Sequence, residues 1–184
     1  MLASPPRRIV LENDYLLLRP LQVEDFPALL PLTQDPSLWT YFTHDLSTLA
    51  GLETWAAGHF SGDRLQLVVI DKQSGKLLGS TGFGNNFPRD QRIEIGWTWL
   101  GKAFQGTGIN AQMKSLMLQY AFEELEMLRV EFKTDVLNQP ARQALLRLGA
   151  TEEGVLRSHT LMTQGRRRDT IFYSFLRGEK WLIG

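Results

Sequence analysis

Residues 93–110 read Ile93-Glu94-Ile95-Gly96-Trp97-Thr98-Trp99-Leu100-Gly101-Lys102-Ala103-Phe104-Gln105-Gly106-Thr107-Gly108-Ile109-Asn110, and this stretch decides the fold. Its first half alternates in strand period and its second half is a glycine-rich loop. Beyond it Ile109, Met113, Leu116, Met117 and Tyr120 recur at helical spacing. Strand, glycine loop and long helix therefore follow one another directly. Glycines at that junction let backbone N–H groups crowd onto an anion, and the helix dipole adds partial positive charge there. The loop reads as a phosphate cradle built with little side-chain charge; the bland alternative is an ordinary tight turn between strand and helix.

Two familiar phosphate loops do not fit. Gly101 and Gly106 have the spacing of the paired glycines of a P-loop, but Thr107 stands where a lysine reaches the terminal phosphates. A dinucleotide fingerprint needs a third glycine where Ala111 or Gln112 stands. Nucleotide hydrolysis and nicotinamide binding are both disfavoured.

Working outward, Val130, Phe132, Thr134 and Val136 alternate with Glu131, Lys133 and Asp135, a second strand. The two strands and the helix between them form a βαβ unit, so the strands are expected to be parallel. Nearer the N-terminus, Ile9–Leu11 and Tyr15–Arg19 read as strand arms around Glu12-Asn13-Asp14, with Pro20 ending the second. Val23–Thr33 reads as a helix with Pro27 near its start, and Ser47–Phe60 as another capped by Ser47. Arg64–Asp71 and Lys76–Gly84 flank Lys72-Gln73-Ser74-Gly75 as a hairpin. The expected fold is α+β: a mixed, mostly antiparallel sheet with helices on both faces.

The whole chain, 184 residues, suits one domain with a substantial core. Twenty basic and twenty acidic side chains give zero formal charge, which argues against a nucleic-acid partner held by phosphate neutralisation. No cysteine is present, so disulfides and thiolate chemistry are excluded. Arg7-Arg8 is not followed by an apolar segment of signal-peptide type, and no apolar run is long enough for a bilayer. A cytoplasmic protein with no membrane partner is expected. His44, His59 and His159 lack metal-ligand spacing, and no metal is expected.

The order Gln105-x-x-Gly108-x-Asn110 after a strand resembles the acetyl-CoA motif of the GNAT N-acetyltransferases. The resemblance runs on through Arg129–Asn138 as the next strand, Gln139–Leu148 with Gly149-Ala150 as the next helix and turn, and Thr151–Thr160 with Arg167–Leu176 as a closing hairpin. It is strongest toward the branch typified by ribosomal-protein N-terminal acetyltransferases that act on alanine or serine. It implies a sheet of about seven strands with one splayed parallel pair, acetyl-CoA as co-substrate, an amine as acceptor and, by family habit, a homodimer.

The resemblance also assigns roles. Gln105, Gly106, Thr107, Gly108, Ile109 and Asn110 would hold the pyrophosphate, although Asn110 replaces the usual glycine or alanine. The backbone of Trp97, Thr98 and Trp99 would pair with the pantetheine amides and face the thioester oxygen. Asn138 and Arg142 match positions near the cofactor; for Asn138, helix capping is the competing reading. Glu94 matches the position of a general base. Strand alternation puts it opposite Ile93 and Ile95, on the face of Gly96 and Thr98, unless a bulge near Gly96 reverses the order beyond it. The two usual proton-donor positions are occupied by Ala141 and Leu145, which leaves Tyr173, Tyr41 or water. Trp39, Tyr41, Phe42, Trp55, Phe83, Phe87 and Phe104 are candidates for an acceptor pocket, with core packing the competing reading. Arg166-Arg167-Arg168 reads as a solvated turn or an anion contact. The sequence leaves three functions open: an N-acetyltransferase, a non-catalytic acyl-CoA-binding module, or an unrelated phosphate binder.

Overall fold

The computed structural model describes residues 8–182; Arg7, and the leader reading that rests on it, lies outside them. Eight strands form one sheet in the order β1-β2-β3-β4-β5-β6-β8-β7. They are β1 (Leu11–Glu12), β2 (Leu16–Pro20), β3 (Arg64–Asp71), β4 (Leu77–Phe87), β5 (Arg92–Leu100), β6 (Arg129–Asp135), β7 (Thr151–Leu161) and β8 (Arg167–Leu176). All neighbours run antiparallel except β5 and β6. The architecture is therefore mixed α+β with one parallel pair, and it has one strand more than the seven expected.

Local chemistry accounts for most boundaries. Asn13 Oδ1 accepts from the N–H groups of Tyr15 at 2.9 Å and Leu16 at 2.7 Å, closing the first turn. Asp71 accepts from the Ser74 N–H at 2.9 Å, and Gly75 supplies φ +69° in the β3–β4 hairpin. Helix α2 (Leu49–Ser61) starts one residue later than expected: its cap is Thr48, whose hydroxyl accepts from the Gly51 N–H at 3.1 Å. The Ser47 N–H is instead turned onto Asp45.

The expected helix over Val23–Thr33 is broken into Val23–Asp25, a single α turn α1 (Phe26–Leu29) and Leu30–Thr33, with 3-10 geometry at both ends. Pro27, which has no N–H to give Val23, accounts for the first break, and Pro31 for the second. A proline in the third turn has no N–H to give and its ring clashes with the carbonyl four residues back, so a continuous ladder cannot form.

Helix α3 (Ile109–Gln119) and helix α4 (Gln139–Leu148) pack on one sheet face around Ile93, Ile95, Met113, Met117, Phe132, Leu145 and Tyr173. On the other face α1 and α2 bury Leu29, Trp39, Leu52, Trp55 and Trp99. Helix α3 ends in a π turn over Tyr120–Glu124, whose last bond runs from Leu125 N–H back to Tyr120.

Candidate functional site

Strand β5 builds most of the site, and it does so by breaking its own alternation. Gly96 pairs with Gly82 and Trp99 with Ser80, so Trp97 and Thr98 together stand opposite the single residue Thr81. This is a bulge, with Trp97 held at φ +50°. Before it, Ile93 and Ile95 face α3; after it, Leu100 does, while Trp99 enters the opposite core. Thr98 consequently turns toward α3, where its hydroxyl lies 2.5 Å from Lys114 Nζ, and does not share the face of Glu94 as simple alternation predicts. Trp97 moves the other way, its ring 5.9 Å from the ammonium of Lys133.

Pairing between β5 and β6 covers only Arg92–Glu94 against Arg129–Glu131. Beyond Glu94 the two parallel strands have no registered pairs, and the bulged segment Gly96–Trp99 borders the gap. Two lysines flank it. On the α3 side Lys114, only 5% exposed, donates to Thr98 and, at 3.3 Å, to Thr81, with its Nζ 5.5 Å from the Phe132 ring centre. Burial drives its pKa down from the usual lysine range to about 7, against the pull of Glu94. On the other side Glu94, 4% exposed, bonds Lys133 Nζ at 2.9 Å and Asn85 Nδ2 at 2.6 Å.

The loop below the gap has the features of an anion cradle. Gly106 (φ +73°) and Gly108 (φ +84°) are both left-handed, and a Cβ on either would meet nothing within 4 Å. Gly108 caps α3 with no side-chain acceptor, so the first-turn N–H groups point outward uncapped. The side chains of the loop are turned to its own backbone: Thr107 Oγ1 donates to Phe104 O at 2.7 Å and Gln105 Nε2 to Leu100 O at 3.2 Å. Ile109 and Asn110 form the half-buried first turn of α3.

Asn138 and Arg142 are committed elsewhere within the protein. Asn138 Oδ1 accepts from Ala141 N–H at 3.2 Å, capping α4, and Nδ2 donates to Thr134 at 3.2 Å. Arg142 Nε donates to the Tyr173 hydroxyl at 3.1 Å and one Nη to Val136 O at 3.0 Å. The Tyr173 hydroxyl in turn donates to Glu152 at 3.0 Å, and burial raises its pKa. Leu145 is core. Neither usual donor position, nor Tyr173, offers an uncommitted proton.

The aromatic candidates divide. Trp39, Trp55 and Phe83 are buried core, whereas Trp97, not among the aromatic candidates read from the sequence, lies near Lys133, the ion-pair partner of Glu94. Of the three arginines at the β7–β8 turn, Arg166 and Arg167 are exposed, with Arg166 also pairing with the fully buried Asp135, whereas Arg168 is buried. The His59 ring bridges the Gln66 N–H and the Leu21 carbonyl, a structural use. Asn85, Lys114 and Lys133 were missed as site residues, while Arg168 was singled out only as part of the arginine turn. For Lys133 the period of β6 carried a signal, since it places odd-numbered residues on one face. Among the described residues no group of three His, Asp or Glu side chains is placed to hold a metal, and no helix is long and apolar enough to cross a membrane.

Comparison with known proteins identifies the family of the fold. Residues 15–151 match the acetyltransferase (GNAT) domain family. The chain is 28% identical over 176 residues to the Bacillus subtilis (strain 168) protein named "Putative ribosomal N-acetyltransferase YdaF", covering 91% of this chain and 94% of that one. It is 26% identical to an "Uncharacterized N-acetyltransferase p20" of Bacillus licheniformis, over 92% of this chain and 97% of that one. The crystal structure of a GCN5-related N-acetyltransferase from Brucella melitensis superposes with a TM-score of 0.86 at 30% identity, covering 94% of this chain and 80% of that one.

Proposed function

The chain belongs to the GNAT acetyltransferase family, and from that premise we propose that it moves an acetyl group from acetyl-CoA to a primary amine. The amine, of a protein N-terminus or a small molecule, attacks the thioester directly in a ternary complex, with no acyl-enzyme. The whole chain acts as one acetyltransferase domain in the cytoplasm.

The observation that carries this reading is the gap between β5 and β6 ending at an uncapped glycine turn. Outward N–H groups of Gly106–Asn110 suit a pyrophosphate, and the unpaired edge of Trp97–Trp99 suits the amides of an extended pantetheine arm. The bulge at Trp97 supports an oxyanion role, because it turns backbone out of the ladder where the thioester would end. Glu94 stands at the mouth of the same gap and accepts the amine proton through water. The thiolate leaves toward solvent and takes its proton from water; its ordinary pKa of about 8.5–9 makes that tolerable. Asn138 and Arg142 contribute by fixing α4 beside the gap.

One observation favours a second reading, a non-catalytic acyl-CoA-binding module: Ala141, Leu145 and the committed Tyr173 leave no side-chain proton donor in place. Retention of Glu94 at the mouth favours the enzyme.

A thermal melt with saturating acetyl-CoA tests the cofactor. At about 100 times its dissociation constant a ligand adds roughly 2.7 kcal/mol, which raises the midpoint of a chain this size by roughly 5–10 °C. The rise should exceed that given by ADP, since the pantetheine arm adds contacts. No shift at millimolar acetyl-CoA sinks the assignment.

A further inference from the structure

Charge around the mouth of the gap is unbalanced. Its two buried carboxylates each have a cation, Lys133 for Glu94 and Arg166 for Asp135. Arg168 is left over. It is 6% exposed, yet among the described residues Nε meets only the Thr170 hydroxyl at 3.0 Å and one Nη only the Thr160 hydroxyl at 3.4 Å. Among the described residues no carboxylate forms an ion pair with it, although it lies within the fields of Asp135 and Glu94.

A guanidinium presents five N–H donors in a planar fork shaped for a carboxylate, and burying one without a counter-ion is unfavourable. Burial accordingly lowers the Arg168 pKa. Ile171, Tyr173 and Phe175 point into the α3 core, so Arg168, Thr170 and Phe172 share the face of Glu94 and Lys133. Across the mouth, Arg64 repeats the pattern in line with Gly84 and Glu94 on adjacent strands. Its guanidinium lies over the rings of Trp55 and Trp97 and, among the described residues, bonds only neutral oxygens, those of Gln66 and the Trp55 carbonyl. The mouth thus offers surplus cationic donors and no surplus acceptor.

We propose that Arg168 binds a carboxylate of the acceptor, so that the amine acetylated here belongs to a molecule carrying an acidic group: an amino acid or an acidic peptide. The proposal rests on the reading that Glu94 faces the reacting amine.

Two sets of matched probes test it. One is a ladder of ω-amino acids, from two to six carbons, each against its primary amide. The other is the amidated peptide Ala-Glu-Ala against Ala-Gln-Ala. Thiol release from acetyl-CoA gives kcat/KM, and calorimetry on the CoA-loaded protein gives binding without turnover. In at least one set the acid should win by about tenfold or more, the worth of a charge-assisted contact. Which set wins separates a small acceptor from a peptide. Arg168→Gln should bring the acid-to-amide ratio toward one, and Arg168→Lys should keep part of it. Should Arg168→Gln not fold, a several-fold fall of the ratio in Arg168→Lys carries the test. Equal use of acid and amide in every pair, or a preference that survives substitution of Arg168, overturns the proposal. If acetyl-CoA binds but no amine releases thiol, the acetyltransferase reading is what has failed. Calorimetry then decides the subsite alone: acid-selective, Arg168-dependent binding sustains it and the lack of such binding overturns it.

Discussion

The Glu94 carboxylate stands 2.9 Å from the ammonium of Lys133, two residues beyond Glu131, the last residue of β6 that pairs with β5. The ion pair thus ties the two parallel strands together on one face at the point where their backbones part.

If Glu94 takes the amine proton, Glu94→Gln removes that function while keeping its shape and a hydrogen bond to Lys133. Turnover should fall by about 10²–10⁴-fold, with acetyl-CoA affinity within about twofold of the wild type. Steady-state kinetics beside a CoA titration decide it. Unchanged kcat rules Glu94 out as the base, and a protein with no turnover to lose supports the binding-module reading.

Lys133→Met removes the cation but leaves Glu94 buried, with Asn85 still donating to its carboxylate. Leaving one member of such a pair uncompensated is unfavourable; with Lys133 partly in water, a loss of roughly 1–3 kcal/mol is expected. Urea unfolding at neutral pH measures it. A midpoint equal to the wild type means the pair holds nothing together.

Lys114 makes stability depend on pH. Its pKa is 10.5 in an ordinary setting and about 7 in the folded protein, because burial disfavours the ammonium. Between those values the unfolded chain holds a proton that the folded protein lacks, so this group makes stability rise with pH from about 7 toward 10.5. Below pH 7 the penalty is fully present. Lys114→Met should therefore be the more stable protein at pH 6, by roughly 2–4 kcal/mol, with the advantage shrinking toward pH 10. Denaturant midpoints of both proteins at pH 6, 8 and 10 test this; a gap that does not change with pH contradicts it.

At Gly108, φ is +84° and the space a Cβ would enter is open. Gly108→Ala should fold with a loss of about 1 kcal/mol, from the left-handed conformation alone. The new methyl would sit where an anion approaches the first turn of α3. The acetyl-CoA-induced rise in melting temperature should shrink by more than half, whereas the same rise in the variant would mean the phosphate lies elsewhere.

Much of the molecule was legible because its signals are local. The hairpin around Ser74-Gly75 and strand β3 fall where turn residues and period place them, and helix α4 where the family resemblance places it. Where local signals competed, the reading slipped. Thr48 and Ser47 are both good caps and only the geometry chose between them; Pro31 was overlooked, although a proline at that depth breaks a helix on its own. The candidate site was legible in part: the glycine loop shows in the sequence and Glu94 through the family resemblance, while nothing in the local sequence says that Lys114 and Arg168 are buried.

The sequence by itself determined the order of strand, glycine turn, helix and strand from Ile93 to Asp135, and with it the parallel pair and the family. Period 2, period 3.6 and glycine dihedrals are properties of short segments and need no partner to be read. Only the tertiary structure decided which way that strand presents its residues. The extra residue at Trp97–Thr98 is defined against Thr81 of the neighbouring strand, and it sends Thr98 to Lys114 and Trp97 to the side of Glu94. Likewise Lys133 and Arg168 acquire their meaning from burial and from the charges that distant segments bring near them. A charge's solvation and partners are set by the packed molecule and not by its neighbours along the chain.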